Sequence, residues 1–166
     1  MIAVRAALLL VLATSAACLH GRPSEVPALL GRLDRAEVER RLPDWRQGRE
    51  QARPDPAASR ALRTVAPGAE VIVYLGTWCS DSHREVTRLW RALDDAGGPL
   101  PFTVQWIGVD REKEEPAALL RGVELRRVPT LVVRRLGREV GRIVETAPRG
   151  VERELLDLLR AGTATP

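Results

Sequence analysis

The sequence predicts an α/β fold in which a central mixed β-sheet is flanked by helices. Val71–Leu75 is an uninterrupted apolar run of strand length, which indicates a strand buried on both faces. From Arg84 to Leu93 the apolar residues recur at helical intervals, so a helix follows that strand. Two apolar segments flank the turn Arg135–Arg138, which predicts an antiparallel hairpin.

The full order of predicted elements is strand, helix, strand, helix, strand, strand, helix. Beyond the strand at 71–75 and its helix at 81–94, the elements are a strand at Phe102–Val109, a short helix at Glu114–Arg121, strands at Leu131–Arg134 and Glu139–Val144, and a final helix opened by Pro148. A helical crossover joins the first two strands, which should therefore be parallel and connected in the right-handed sense. The hairpin makes the last two strands antiparallel.

Composition and charge favour one soluble domain and exclude several functional classes. The chain has 166 residues and a formal charge of +4, from 26 basic and 22 acidic residues. Arginines alternate with acids, as in Arg35–Arg41, which is typical of a solvated helix face. No stripe of basic and aromatic residues indicates a nucleic-acid partner. No phosphate-binding loop, paired-carboxylate site or Ser-His-Asp pattern stands out, and no cofactor is expected.

The N-terminus has the pattern of an exported protein. Residues 1–17 resemble a signal peptide, with Arg5 before an apolar segment that is short for a membrane span. The small residues before Cys18 resemble a bacterial lipobox, so Cys18 is predicted to carry lipid and to hold the protein on a membrane. Ordinary cleavage near Ala17 and an uncleaved anchor remain alternatives. All three predict an extracytoplasmic domain, in the periplasm or cell envelope.

The rest of the chain divides into three parts. Residues 18–27 form a polar tether, residues 28–68 a mostly helical N-terminal extension, and residues 69–161 the main domain. Within the extension, Ala28–Arg41 is predicted to form one or two short helices and Ala57–Val65 another. The sequence leaves open whether this extension caps the sheet or forms a surface for a partner.

Cys79 is the candidate nucleophile. It lies between the carboxyl end of the first predicted strand and the first turn of the following helix, where open α/β sheets place their chemistry. Unpaired N–H groups and the helix dipole at that point favour a thiolate. The alternative is a buried, inert cysteine, which the polar neighbours Ser80–His83 make the weaker interpretation. If Cys18 is lipidated, Cys79 is the one unmodified cysteine.

Two motifs resemble the thioredoxin superfamily. Trp78–Ser82, with sequence WCSDS, resembles the active-site segment W-C-x-x-C, and Val128–Thr130, with sequence VPT, resembles the segment that contains a cis-proline. The first motif, followed downstream by residues 138–145, is most similar to a bacterial thioredoxin-like branch with W-C-x-D-S or W-C-x-D-C. The resemblance spans residues 71–160 and implies a thioredoxin-like fold.

This resemblance implies thiol–disulfide exchange without an internal resolving cysteine. Ser82 replaces the second cysteine, and its hydroxyl could donate a hydrogen bond to the Cys79 thiolate. Val73 stands where two-cysteine thioredoxins have a buried Asp. Cys79 could therefore work by a monothiol mechanism, like glutaredoxins with C-x-x-S, on protein thiols and disulfides or on a small thiol. Alternatively, it could hold client thiols without turnover, or the chain could be a redox-inactive binding module.

The substrate-binding residues implied by the resemblance are Trp78, Val128, Pro129 and Thr130. Pro129 would form a cis peptide bond and face Cys79. The backbone of Val128 could then pair with an extended substrate segment. An ordinary trans-proline at a strand start is the alternative.

Asp81 and His83 are secondary candidates beside Cys79. Asp81 favours the helix as a first-turn acid, yet its negative charge disfavours a nearby thiolate. A protonated His83 would favour the thiolate, whereas a solvent-facing His83 would have no role. No metal is expected, because Cys79, Asp81 and His83 offer fewer Cys and His ligands than a good zinc site needs.

Overall fold

The computed structural model describes residues 28–162. The predicted leader of residues 1–17, the predicted lipid attachment at Cys18 and the tether of residues 18–27 lie outside the described residues, as do residues 163–166. Between residues 28 and 162, no helix is both long enough and apolar enough to cross a bilayer.

The described residues form one five-stranded mixed sheet with helices packed on it. The strands are β1 Gly31–Leu33, β2 Ala69–Leu75, β3 Phe102–Gly108, β4 Thr130–Arg135 and β5 Arg138–Val144. The helices are α1 Arg35–Arg41, α2 Pro43–Gln51, α3 Pro56–Ala61, α4 Ser80–Ala96, α5 Ala117–Leu120 and α6 Val151–Ala161, with a 3₁₀ turn at Leu62–Thr64. The spatial order of the strands is β1-β3-β2-β4-β5.

The central strand β2 has its side chains buried on both faces of the sheet, as the apolar run predicts. Successive side chains of a strand point to opposite faces. Val71, Val73 and Leu75 accordingly join the larger hydrophobic core, which also contains α4 and α6, while Ile72 and Tyr74 join a smaller one. The strand ends at Leu75, so the residues after it emerge from the middle of the sheet.

The predicted relative directions of the paired strands are confirmed. β2 and β3 are parallel, and β4 is antiparallel to both β2 and β5. The hairpin turns at Leu136 and Gly137, which have φ angles of +52° and +75°. The largest differences from the predicted boundaries are in two helices: α6 begins at Val151 rather than at Pro148, and α5 is a single turn of four residues. The other predicted elements of the main domain differ by one or two residues at their ends.

The prediction of helix from Ala28 to Arg41 is wrong at its start. Gly31–Leu33 is the edge strand β1, antiparallel to β3, and α1 follows only at Arg35. The chain packs closely there, because a Cβ at Gly108 would collide with the carbonyl of Leu29. Three residues are too few to display the alternation that identifies a strand. Leu29, Leu30 and Leu33, in and beside β1, are spaced at intervals that also occur in a helix.

The N-terminal segment caps the sheet through its contacts with α4. Trp45 of α2 is buried and its ring lies 5.5 Å from that of Trp90 in α4. One turn further along α4, Asp94 receives a bidentate pair of hydrogen bonds from Arg35, at 2.7 and 2.8 Å. The open question about residues 28–68 is thereby answered in part: much of their apolar surface is covered by the domain itself.

A buried carboxylate ties the same segment to α6. Glu152 is fully buried and binds Arg88 of α4 at 2.7 and 2.9 Å. Its carboxylate also accepts the backbone N–H of Asp55, the residue that caps α3, at 2.8 Å. Burial raises the pKa of Glu152, but the hydrogen bonds from Arg88 and from the Asp55 N–H outweigh it, so the pKa lies below its ordinary value.

Candidate active site at the β2–α4 turn

The turn between β2 and α4 fixes the position of Cys79. Its N–H donates to the carbonyl of Gly76 at 3.0 Å, and its own carbonyl accepts the N–H of His83 at 2.9 Å, the first bond of the helix. Cys79 is therefore the N-cap of a 17-residue helix and has extended backbone angles. The predicted location, between a strand end and a helix start, is confirmed.

The Cys79 thiol faces the segment that precedes β4. Its Sγ donates to the carbonyl of Val128 at 3.4 Å, and the Val128–Pro129 peptide bond is cis. The cis bond predicted from the resemblance is confirmed. Although Cys79 is an N-cap, its side chain makes no capping hydrogen bond to α4. Half-buried, Cys79 packs on the smaller hydrophobic core and has access to solvent.

Ser82 is fully buried beneath this turn. Its Oγ accepts the N–H of Gly76 at 3.1 Å, so this hydroxyl stabilises the turn that carries Cys79. The bond found for Ser82 is thus to the backbone of the turn, and its predicted donation to a Cys79 thiolate stays a prediction. Val73, at the position of the acid of two-cysteine thioredoxins, is fully buried among apolar residues.

Trp78 forms one side of the site and is held by three neighbours. Its Nε1 donates to the carbonyl of Val109 at 3.0 Å, directly after β3. Its ring lies so close to Gly76 that a Cβ there would be 2.6 Å from the indole. The guanidinium of Arg111 lies 5.0 Å from the ring centroid, within the range of a cation–π interaction.

The loop that carries Arg111 is closed by Asp110. The Asp110 carboxylate accepts the N–H groups of Glu115 and Glu114 at 3.0 and 2.8 Å. These hydrogen bonds hold the pKa of Asp110 below its ordinary value. The sequence assigned no role to Asp110; the structure makes it the residue that shapes this loop beside Trp78.

Pro129 and Thr130 have their polar groups occupied within the protein. The carbonyl of Pro129 accepts the N–H of Glu145 at 2.7 Å. Thr130 is buried, and its Oγ1 donates to the carbonyl of Arg127 at 2.7 Å. These bonds fix the segment before β4, and the carbonyl of Val128 is the group of this segment that faces Cys79.

His83 and Asp81 lie on opposite sides of the first turn of α4. The His83 Nε2 lies 3.0 Å from the carbonyl of Asp44, so this nitrogen carries the proton and donates. The imidazole also packs edge-on against Trp45, with ring centroids 5.4 Å apart. Asp81 pairs with Arg84 at 2.7 Å. His83 is thus half-buried against α2, and neither the solvent-facing interpretation nor an activating role follows from its contacts.

A cleft of about 400 Å³ opens beside Cys79. One side is the turn itself, with Thr77, Trp78, Cys79 and Ser80, and the opposite side is the junction of α1 and α2, with Leu42, Pro43 and Trp45. His83 contributes to it as well, and the charged residues Arg41 and Asp44 lie at its exposed rim. Sequence reasoning missed this second wall, because only tertiary packing brings residues 41–45 to the cysteine.

The described residues contain no group of three or more His, Cys, Asp or Glu side chains arranged to hold a metal ion.

The fold resembles that of several solved structures, at low sequence identity. A protein of unknown function from Pseudomonas aeruginosa has a TM-score of 0.52 at 16% identity, over 72% of this chain and 81% of that one. An HIV epitope scaffold has a TM-score of 0.52 at 15% identity, over 75% of this chain and 85% of that one. A mutant thioredoxin from Halobacterium salinarum has a TM-score of 0.43 at 22% identity, over 63% and 82%. No family model and no curated protein matches the chain. The first two likenesses show a shared fold and nothing further.

Proposed function

We propose that this protein is an extracytoplasmic, thioredoxin-like thiol–disulfide oxidoreductase that works by a monothiol mechanism. The observation that carries the proposal is the position of Cys79. Its sulfur lies at the N-terminus of α4, opens into a cleft, and is 3.4 Å from the carbonyl that precedes cis-Pro129. The motifs WCSDS and VPT, which are far apart in the sequence, thus meet around one sulfur atom.

The proposed reaction is a pair of thiol–disulfide exchanges. The Cys79 thiolate attacks one sulfur of a substrate disulfide, the bond between the two sulfurs forms, and the substrate S–S bond breaks. The leaving thiolate departs with the electron pair and takes up the proton that Cys79 gave up. Since Cys79 is the single cysteine of residues 28–162, an external thiolate then attacks the substrate sulfur of the mixed disulfide. A disulfide forms between the external thiol and the substrate, and the bond to Cys79 breaks with its electron pair on Cys79, which is thereby restored.

Several neighbours support exchange at this sulfur. When Cys79 loses its proton it also loses its bond to the Val128 carbonyl, and the N-terminus of α4, which Cys79 caps, favours the resulting negative charge. The Val128 carbonyl released in this way can accept an N–H from an extended substrate. Trp78, Pro129 and Thr130 would shape the surface on which that substrate lies, and Ser82 would keep the turn in place.

The extracytoplasmic location rests on the sequence of residues 1–18. A lipid on Cys18 would tether the domain to a membrane through residues 18–27. The proposed partners are accordingly protein thiols and disulfides, or a small thiol, of the periplasm or cell envelope.

A redox-inactive binding module is the second candidate, and two contacts favour it. The Cys79 thiol uses its proton in a bond to Val128, and Ser82 is engaged with the backbone of Gly76. A cysteine held in this way could serve as a half-buried side chain of a binding surface. The two candidates differ in whether the site still supports disulfide chemistry.

Replacing Ser82 with Cys separates the two candidates. Residues three apart across the first turn of a helix are at distances that a disulfide can span. In the full chain carrying Cys18→Ser, we expect Ser82→Cys to form an internal disulfide between Cys79 and the introduced cysteine on mild oxidation. Once reduced, the same variant should reduce a protein disulfide. Mass spectrometry after alkylation measures the first property, and insulin reduction the second.

The matched control is Thr87→Cys, which introduces a second cysteine on the same helix, about two turns along from Cys79. It should form no internal disulfide. A Ser82→Cys chain that keeps two alkylatable thiols under the same oxidation would contradict the oxidoreductase proposal and favour the binding module.

A further inference from the structure

The cleft beside Cys79 is built by a part of the chain that the active-site motifs do not include. Its outer wall is the short connection between α1 and α2, where Leu42 and Pro43 lie next to the indole of Trp45. Trp45 is 2% exposed and rests on Trp90, so this wall has a rigid base. His83 reinforces it from α4 by its bond to the Asp44 carbonyl, at 3.0 Å.

The lining of the cleft favours an apolar occupant. Most of its lining is apolar, and the lining residues include Leu42, Pro43, Trp45 and Trp78. Arg41 and Asp44 place one charge of each sign at the rim, so the cleft offers no net charge to attract a charged ligand. Ligand pockets with mainly hydrophobic and aromatic linings bind apolar groups, and about 400 Å³ is enough for one or two large side chains.

The position of the Cys79 sulfur determines how an apolar side chain of a substrate would reach the cleft. Cys79 lines the same cleft. When a substrate polypeptide forms a mixed disulfide with Cys79, the residue beside the substrate cysteine therefore lies at the entrance of the cleft. On the other side of Cys79, the Val128 carbonyl is available to the substrate backbone once the thiol proton has left. A substrate is thus held at three points: sulfur, backbone and one neighbouring side chain.

We infer that the Leu42–Trp45 wall makes Cys79 selective for polypeptide cysteines flanked by a bulky apolar residue. This inference rests on the proposed exchange activity and adds its substrate class. A leucine or phenylalanine beside the substrate cysteine enters the cleft, whereas a serine leaves it empty and a charged residue must be desolvated there. Contacts with the Leu42–Trp45 wall should not raise the reaction rate of small thiols such as glutathione, which carry no bulky apolar side chain.

The test compares matched disulfides on the full chain carrying Cys18→Ser. Short peptides with Leu, Phe, Ser, Glu or Lys on both sides of one cysteine, and glutathione as the small thiol, are each converted to the mixed disulfide with 2-thiopyridine. Every probe then has the same leaving group, and release of pyridine-2-thione gives the second-order rate constant with Cys79. We expect the Leu and Phe peptides to react about tenfold faster than the other probes, the discrimination that one side chain in an apolar pocket provides.

Two variants of the wall connect this preference to the cleft. Pro43→Ser changes an exposed residue at the first position of α2, and Leu42→Ser places a good capping residue at the N-cap of that helix, so both should fold. Each should lower the ratio of Leu to Ser rate constants at least threefold, roughly the share expected of a few lost methylene contacts. Leu136→Ser, an exposed leucine on the hairpin turn at the other end of the sheet, is the matched control and should keep the full ratio.

Equal rate constants for the Leu, Ser and glutathione probes would overturn the inference, and so would a preference that persists in both wall variants. These outcomes leave the exchange activity itself intact. If no probe reacts with Cys79 in the folded chain, the proposed function fails, and the inference with it.

Discussion

Replacing Cys79 with Ser should abolish the formation of mixed disulfides between this protein and any disulfide probe. Cys79 is the proposed nucleophile, and a serine hydroxyl at the same place forms no disulfide. In the Cys18→Ser chain the rate of disulfide cleavage should fall to that of the buffer alone, because no other cysteine remains. Mass spectrometry of the protein after incubation with a peptide disulfide measures this directly.

The fold should survive that replacement, which makes the result interpretable. Cys79 is the N-cap of α4, and serine is among the residues preferred there. Unfolding by urea should therefore have a midpoint at or slightly above that of the parent chain. Disulfide cleavage that persists in a folded Cys79→Ser chain would contradict the assignment of the nucleophile.

Replacing Glu152 with Ala should cause the largest loss of stability that we predict, about 3 kcal/mol. The Glu152 carboxylate is fully buried, and its removal leaves the Arg88 guanidinium and the Asp55 N–H without their acceptor. Because these groups belong to α4 and to the start of α3, the change should loosen the contact of the N-terminal segment with the domain. Urea unfolding at neutral pH measures the difference.

A second ion pair on α6 provides the control. Asp157 pairs with Arg149 at 2.9 Å, with both side chains more than half exposed. Exposed pairs contribute little, so Asp157→Ala should cost less than about 1 kcal/mol. A loss for Glu152→Ala as small as that for Asp157→Ala would contradict the structural role of the buried carboxylate.

The contribution of Glu152 should also depend on pH in a defined direction. Its pKa in the folded protein is below the ordinary value, so folding favours the ionised form. The stabilisation is complete above the pKa of the unfolded chain, about 4.3, and is lost as the pH falls through the lower folded-state value. The stability difference between the parent chain and Glu152→Gln should accordingly shrink below about pH 4.

Much of the sheet and the core of the site could be predicted because they depend on local patterns. The run Val71–Leu75 is long and apolar enough to specify a central strand by itself. The spacing from Arg84 to Leu93 identifies one face of α4, and the residues at the turn of the hairpin identify β4 and β5. Cys79 could be identified as the candidate nucleophile because it lies between the first two of these elements. The cis bond before Pro129 was predicted from the resemblance of one short motif to the thioredoxin superfamily.

The features that escaped prediction depend on contacts between distant residues. Strand β1 is recognisable only when Gly31–Leu33 lies beside β3, since a strand of three residues has no pattern of its own. The cleft wall formed by Leu42 and Pro43 requires α2 to pack on α4. Burial of Glu152 could not be foreseen either, because glutamate is rarely fully buried and acids in the first turn of a helix are normally exposed.

These contacts change how the N-terminal segment should be regarded. Residues 28–68 are partly a structural cap, through Trp45 and the Arg35–Asp94 ion pair, and partly a wall of the candidate active site. A substitution in this segment can therefore affect stability, substrate choice or both. The variants of Leu42 and Pro43 address substrate choice, and Glu152→Ala addresses stability.

The reactivity of Cys79 in the folded protein tests the central claim most directly. In the full chain carrying Cys18→Ser, the rate of alkylation by iodoacetamide at neutral pH would be compared between the folded chain and the same chain unfolded in urea. Since the thiolate is the reacting form, activation by the start of α4 predicts faster alkylation in the folded chain. A folded chain that is alkylated more slowly than the unfolded one, or only after unfolding, would contradict the proposed oxidoreductase and leave a binding module.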